Sequence, residues 1–339
     1  MQKKDFIDSI GNTPLIYIRS LSKLTGCDIY GKAEFMNPGG SIKDRAALGM
    51  IRDAEKRGLI KKGGLIVEGT AGNTGIGLAL IGNVLGYRTK FLVPSSQAQE
   101  KIDTIRGMGS EVMVVPPAPY PEPGNYRVLA AKIAQEEGGY YINQFENPSN
   151  HEVHYQTTAR EIWEQTEKGI NGFSAAIGSG GTLAGISRFM KEQNPKIQID
   201  CVDPVGSAMY SYFTKGCADM TPGESITEGI GQGAITENVK PCRVDKAYQI
   251  SDEIIINMVH YIVKNDGLFM GSSTGANLCG AYLLAKRMGP GNRIVSILCD
   301  SGQKYISKIY NPGFLKERGL KITGLENDLF PALDKHISR

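Results

Sequence analysis

The chain has 339 residues, long for one compact core and comfortable for two α/β domains around a cleft. Hydrophobic residues make up 41% and charged residues 22%, the ordinary balance of a globular protein. The net charge is +3 with basic and acidic residues interspersed, and no stretch reaches the length of a transmembrane helix, so neither nucleic acid nor membrane is expected as a partner.

Read from its start, Met1 to Ile10 holds two lysines but no apolar run. It does not read as a signal peptide, and a cytoplasmic location is expected. The segment Asn37-Pro38-Gly39-Gly40-Ser41-Ile42-Lys43-Asp44-Arg45 opens a helix, with Ser41 as a plausible N-cap and Lys43 in the first turn. Ala47, Met50, Ile51 and Ala54 recur at helical spacing, and Gly58 marks the stop. A strand at 65–67 follows, then a helix from about Thr74 to near Gly86. Next come a strand at 91–93 stopped by Pro94, a helix near 100–106 and a strand at 112–115. Residues 116–124 are proline-rich and predict a loop, followed by a helix over 126–137. The same rhythm returns with strands at 173–177, 197–202 and 294–298, and helices near 182–193, 252–265 and 275–287. Alternation of this kind predicts parallel sheets covered by helices on both faces, in two α/β units with a boundary near 145–157.

Six cysteines form no C-x-x-C pair and the four histidines do not cluster with them, so no metal site and no disulfide framework are expected. The strand at 173–177 runs into Gly178-Ser179-Gly180-Gly181-Thr182 where a helix begins. Glycines bring several N–H groups onto one anion, the helix N-terminus adds partial positive charge, and Ser179 and Thr182 add hydroxyls. This is a phosphate site. On the loop alone two guests compete. A dinucleotide would want G-x-G-x-x-G, which fails at Leu183, although Asp200 and Asp203 lie near the distance of a ribose-binding acid. A single phosphomonoester is the other guest. Lys43, at a positive helix end, would have its amine pKa lowered by like charge, which favours Schiff-base chemistry.

Taken together, these motifs resemble the β-replacement family of pyridoxal-phosphate (PLP) enzymes that contains cysteine synthase and cystathionine β-synthase. The likeness runs from Gly11-Asn12-Thr13-Pro14-Leu15 to Asp300-Ser301-Gly302-Gln303-Lys304-Tyr305. It implies a tryptophan synthase β-like fold (PLP fold type II), that is, two doubly wound α/β domains with the active site in their cleft. Residues 1–40 and 155–339 would form the larger, phosphate-binding domain, and 41–154 a smaller mobile one. It implies pyridoxal 5′-phosphate as cofactor, with Lys43 as the catalytic lysine that carries it. Gly178, Ser179, Gly180, Gly181 and Thr182 would hold the phosphate, which decides against the dinucleotide. Asn73 would bond the 3′-oxygen, and Ser273, of Gly271-Ser272-Ser273-Thr274-Gly275, the pyridine nitrogen. A hydroxyl there, in place of a carboxylate, makes PLP a weaker electron sink and favours loss of a β-substituent.

The resemblance also implies that Thr70, Ala71, Gly72, Asn73 and Thr74 grip the substrate carboxylate together with Gln144. Ala71 stands where many relatives have serine, which leaves the leaving group open. Gly229 and Gln232, in Glu228-Gly229-Ile230-Gly231-Gln232-Gly233, would line the mouth, and His154, Thr157 and Thr158 read as structural. The implied reaction joins an O-acetylserine-like amino acid and sulfide to give L-cysteine through an aminoacrylate. The alternatives are cystathionine β-synthase-like condensation with another thiol, and desulfhydration or lanthionine formation from cysteine. No tandem regulatory module and no haem segment are expected, and a homodimer is the implied assembly.

Overall fold

The computed structural model describes residues 5–70, 72–323 and 326–337. Among the described residues lie ten strands: β1 (Leu15–Tyr17), β2 (Asp28–Ala33), β3 (Leu65–Gly69), β4 (Arg88–Pro94), β5 (Glu111–Val115), β6 (Tyr140–Tyr141), β7 (Gly172–Ala176), β8 (Gln198–Pro204), β9 (Lys246–Ile250) and β10 (Arg293–Leu298). They form a six-stranded sheet, β1-β2-β10-β7-β8-β9, and a four-stranded sheet, β5-β4-β3-β6. Every pairing is parallel except β1 with β2, so the larger sheet departs from the expected all-parallel arrangement at one edge. A short antiparallel strand is a common way to finish such an edge.

Strand alternation sorts the core. In the smaller sheet, Ile66, Phe91 and Val93 face the helices Lys43–Lys56 and Asn73–Leu85, while Leu65, Val67 and Leu92 face the helix Tyr126–Glu136. In the larger sheet, Val202, Ile294 and Leu298 pack on the buried helix Ser272–Met288. Ile199, Cys201, Val295 and Ile297 pack on the other face, against Leu183, Ile186 and Met190 of the helix Gly181–Gln193.

Every strand expected from periodicity is present. The strands β1, β2, β6 and β9 were not anticipated. The proline-rich stretch 116–124 is a loop, as expected, and the helix after β3 starts at Asn73, one residue before Thr74.

Two features fix the lysine-bearing helix. Gly77 lets the helices Lys43–Lys56 and Asn73–Leu85 touch, since a Cβ there would lie 3.1 Å from Ala47 Cβ and 3.2 Å from the Lys43 carbonyl oxygen. Two residues beyond Lys43, the Arg45 guanidinium donates to both carboxylate oxygens of Glu34 at 2.8 Å and to those of Glu161 at 2.6 and 2.7 Å. Lys32 adds a 2.6 Å bond to Glu161. This buried cluster pins the start of the helix to the larger sheet.

Candidate functional site

A cavity of about 230 Å³ opens between the two sheets, at the C-terminal ends of their strands. Its anion-binding wall follows from β7, whose small and apolar residues place it in the middle of the larger sheet. The chain leaves that strand through Ile177 and turns at Gly178 to Gly180 into the helix Gly181–Gln193. A Cβ on Gly178 would lie 2.1 Å from the Gly229 carbonyl oxygen, and Gly180 has φ +98°, where glycine alone is at ease. Ser179 Oγ accepts from Asn150 Nδ2 at 2.9 Å, which leaves its own hydrogen free for an anion. Gly178, Ser179, Gly180 and Thr182 line the cavity, while Gly181 is packed against Asn150 behind it. Thr182 Oγ1 lies 3.4 Å from Nε2 of buried His154, whose Nδ1 is 2.9 Å from Thr158 Oγ1. His154 therefore borders the anion loop more closely than a purely structural reading implied.

Asp200 and Asp203 do not reach this cavity. Asp200 bonds Arg287 at 2.6 Å and Asp203 accepts from the Tyr210 amide at 2.8 Å, both buried along β8. The placement removes the ribose-acid reading.

Lys43 stands on the facing wall as the first residue of its helix. Ser41 is not the N-cap. Ile42 holds that position, and Ser41 sits one residue earlier, bridged to Asp300, with its Oγ accepting from the Lys43 amide at 3.2 Å. Burial lowers the Lys43 pKa. Cys299 and Asp300 pull it up and Lys101 pushes it further down, but desolvation dominates. Burial, more than the helix end, makes this amine available as a neutral base or nucleophile.

The proposed substrate loop divides. Ala71 lies outside the described residues. Thr70 is turned inward, its Oγ1 accepting from the amides of Gly72 at 3.0 Å and Gly75 at 3.2 Å, and neither Thr70 nor Gly72 lines the cavity. Asn73, Thr74 and Gln144 do. Asn73 donates to Asp300 Oδ2 at 2.7 Å and accepts from Lys304 Nζ at 3.1 Å, which leaves one amide hydrogen for a ligand. Thr74 Oγ1 donates to Gln144 Oε1 at 2.7 Å, and Gln144 Nε2 donates to Glu68 Oε1 at 3.1 Å and to the Gly69 carbonyl at 3.3 Å.

Ser273, Gly229 and Gln232 complete the wall. The neighbouring hydroxyls point elsewhere: Ser272 Oγ accepts from the Glu228 amide at 3.4 Å and Thr274 Oγ1 from the Cys299 amide at 2.9 Å, and neither residue lines the cavity. Among these three, Ser273 is the one that faces the cavity.

Sequence reasoning missed several wall residues, including Lys101, Tyr126, Glu228 and Cys299. Buried Lys101 donates to Glu228 Oε2 at 2.6 Å and to the Tyr305 hydroxyl at 3.0 Å, and Lys308 pairs with the other Glu228 oxygen. A signal for Lys101 existed. It shares a helical face with Ala98, Ile102 and Ile105, and a lysine on an apolar face needs a buried partner. Cys299 carries a thiol that burial raises to about 11, so it is protonated at neutral pH.

These residues fit a phosphate-bearing aldehyde. The anion cradle closes against Gly229 with no room for a side chain, a desolvated amine faces it, and a hydroxyl and an amide hydrogen remain for the ring. The comparisons agree. The family described as pyridoxal-phosphate dependent enzyme matches residues 7–300. A cysteine synthase of Dictyostelium discoideum is 44% identical over 331 residues, covering 95% of this chain and 88% of that protein. Among solved structures, an O-acetylserine dependent cystathionine beta-synthase from Helicobacter pylori aligns with TM-score 0.81 and 35% identity, over 92% of this chain and all (100%) of its own. A hydrogen sulfide-producing enzyme from Fusobacterium nucleatum aligns with TM-score 0.80 and 34% identity, over 90% of this chain and 100% of its own.

Proposed function

The chain belongs to the pyridoxal-phosphate dependent enzymes, and we propose that it replaces the β-substituent of an O-acetylserine-like amino acid with sulfide to make L-cysteine. The observation that carries this reading is the shared cavity of the Lys43 amine, the Gly178 to Thr182 anion cradle and the Ser273 hydroxyl.

Gly178, Ser179, Gly180 and Thr182 would hold the phosphate, with Gly181 shaping the turn, and Lys43 Nζ the aldehyde carbon. Bound there, the cofactor supplies an electron sink that loosens the α-proton and the β-substituent of an attached amino acid. Lys43 Nζ, as a neutral amine in the wall, would take the α-proton of the substrate and later return it. Its lowered pKa and its place in the wall support that role. Ser273 would meet the ring nitrogen with a neutral hydroxyl, which would limit charge on the ring and favour departure of the β-group. Thr74 and Gln144, with Asn73 beside them in the wall, hold the substrate carboxylate. Gly229 and Gln232 line the route for the nucleophile. The unit 41–154 closes over the substrate as the smaller moving part.

The same cavity would serve a larger thiol in place of sulfide, or cysteine in place of the acetylated serine. The names of the Helicobacter and Fusobacterium structures favour keeping both as second readings. A homodimer and a cytoplasmic location go with the proposal, and six free cysteines support a reducing compartment. The test is a matrix of O-acetylserine, serine and cysteine against sulfide, homocysteine and water, scored by product. Cysteine from O-acetylserine and sulfide should dominate; cystathionine or free sulfide as the main product would replace the reading.

A further inference from the structure

The substrate-carboxylate clamp contains a carboxylate of its own. Glu68, fully buried at the end of β3, accepts from the Asn143 amide at 2.7 Å and from Gln144 Nε2 at 3.1 Å. With the Gly69 carbonyl at 3.3 Å on Nε2 and Thr74 at 2.7 Å on Oε1, both amide hydrogens of Gln144 are already used. Gln144 can therefore reach a substrate carboxylate only by giving up one of these bonds.

Resting on the functional reading above, we propose that Glu68 is a positioning residue for substrate binding: it parks the Gln144 amide, and the incoming carboxylate displaces it. The exchange sets two carboxylates against one amide. It is favourable when Glu68 is protonated and opposed by like charge when Glu68 is ionised. Burial raises the Glu68 pKa to about 8, against the bonds from Gln144 and Asn143 and the charge of Arg127, so this change of state falls in an accessible range. The groups facing Glu68 are Arg127 and Tyr126 from the helix Tyr126–Glu136, and Tyr140 and Tyr141 from β6. Arg127 is itself held by Glu146 at 3.5 Å and stacked 3.9 Å over Phe145. Burial raises the pKa of each of the three tyrosines.

The test uses the holoenzyme and two readouts: the pH dependence of KM and kcat for O-acetylserine, and L-serine binding by calorimetry. In the wild type, KM should rise about tenfold between about pH 7 and pH 9 from this group, with little matching change in kcat. Glu68→Gln should remove that rise, leave kcat within about twofold, and flatten the pH dependence of L-serine binding by the same factor. Titration of Lys43 and of the substrate amine is common to both proteins, so the difference between them isolates Glu68. Superimposable profiles, or a Glu68→Gln loss in kcat that matches the loss in kcat/KM, would overturn the proposal while leaving the functional reading intact. A wild type that binds no α-amino acid would remove both. Should Glu68→Gln fail to fold, a flat wild-type KM across this range would still refute the idea.

Discussion

Gly178→Ala is the sharpest perturbation of the anion cradle. Its Cβ would stand 2.1 Å from the Gly229 carbonyl oxygen, against a practical limit of 3.0 Å, so the loops at 178–182 and 228–232 must part by at least 0.9 Å (3.0 minus 2.1). Both loops are backbone walls of the cavity, and neither can relieve the contact by turning a side chain. Overpacking of this kind costs about 1–3 kcal/mol. If the strain falls on the anion site, PLP should dissociate about 5 to 150 times more readily. Cofactor release would be followed by visible absorbance during dialysis, and stability by urea denaturation of the cofactor-free protein. Gly229→Ala is the matched control. Its φ of +78° makes alanine strained, by about 1–2 kcal/mol, but no atom lies within 4 Å of the added carbon, so cofactor affinity should change little. A Gly178→Ala protein that keeps PLP as the wild type does, or a control that loses it equally, would refute the steric argument.

Three further outcomes are expected. Lys101→Met strips the buried Glu228 of one partner, and since Lys308 still pairs with it the loss should sit near the low end for a broken buried pair, about 3 kcal/mol in urea denaturation; a loss below about 1 kcal/mol would contradict it. Burial pushes the Glu161 carboxyl up, but Arg45 and Lys32 outweigh it and hold it down at about 2, below its ordinary 4.5. A depressed pKa stabilises above the ordinary value and stops doing so as pH falls through the folded one. The wild type should therefore lose on the order of 3 kcal/mol from this group between about pH 5 and pH 2, and Glu161→Gln should lack that part of the acid slope. Ser273→Asp should shift the visible spectrum of bound PLP and slow β-replacement, and unchanged kinetics would remove Ser273 from the ring nitrogen.

What could be read in advance was local. The strand, glycine turn and helix around Gly178 to Thr182 are a short-range code, and so is the helix that Lys43 opens. Both are where the residues indicated, apart from the cap, which shifts to Ile42 because Ser41 is tied to Asp300, far away in the chain. Most of the anticipated strands, β3, β4, β7, β8 and β10, were legible because they are largely buried and read as apolar runs, and the more exposed β5 was legible from its run of Val112, Met113, Val114 and Val115. β1, with three residues, carries too little pattern to stand out, β9 mixes Lys246 and Gln249 into its five residues, and the strand order depends on pairings between distant segments. The same limit applies at the site. The inward turn of Thr70, the capture of Gln144 by Glu68, and the meeting of Lys101, Glu228 and Tyr305 are tertiary contacts that no spacing encodes.

The central claim is that one amine and one anion cradle share a single cofactor. Borohydride reduction of the holoenzyme, followed by digestion and mass spectrometry, tests it at the level of the atom. A pyridoxyl-phosphate adduct on Lys43 alone is the predicted result. An adduct on Lys101, which also lines the cavity, or on Lys304 or Lys308, which bond the lining residues Asn73 and Glu228, or none on a protein that retains PLP, would contradict the account.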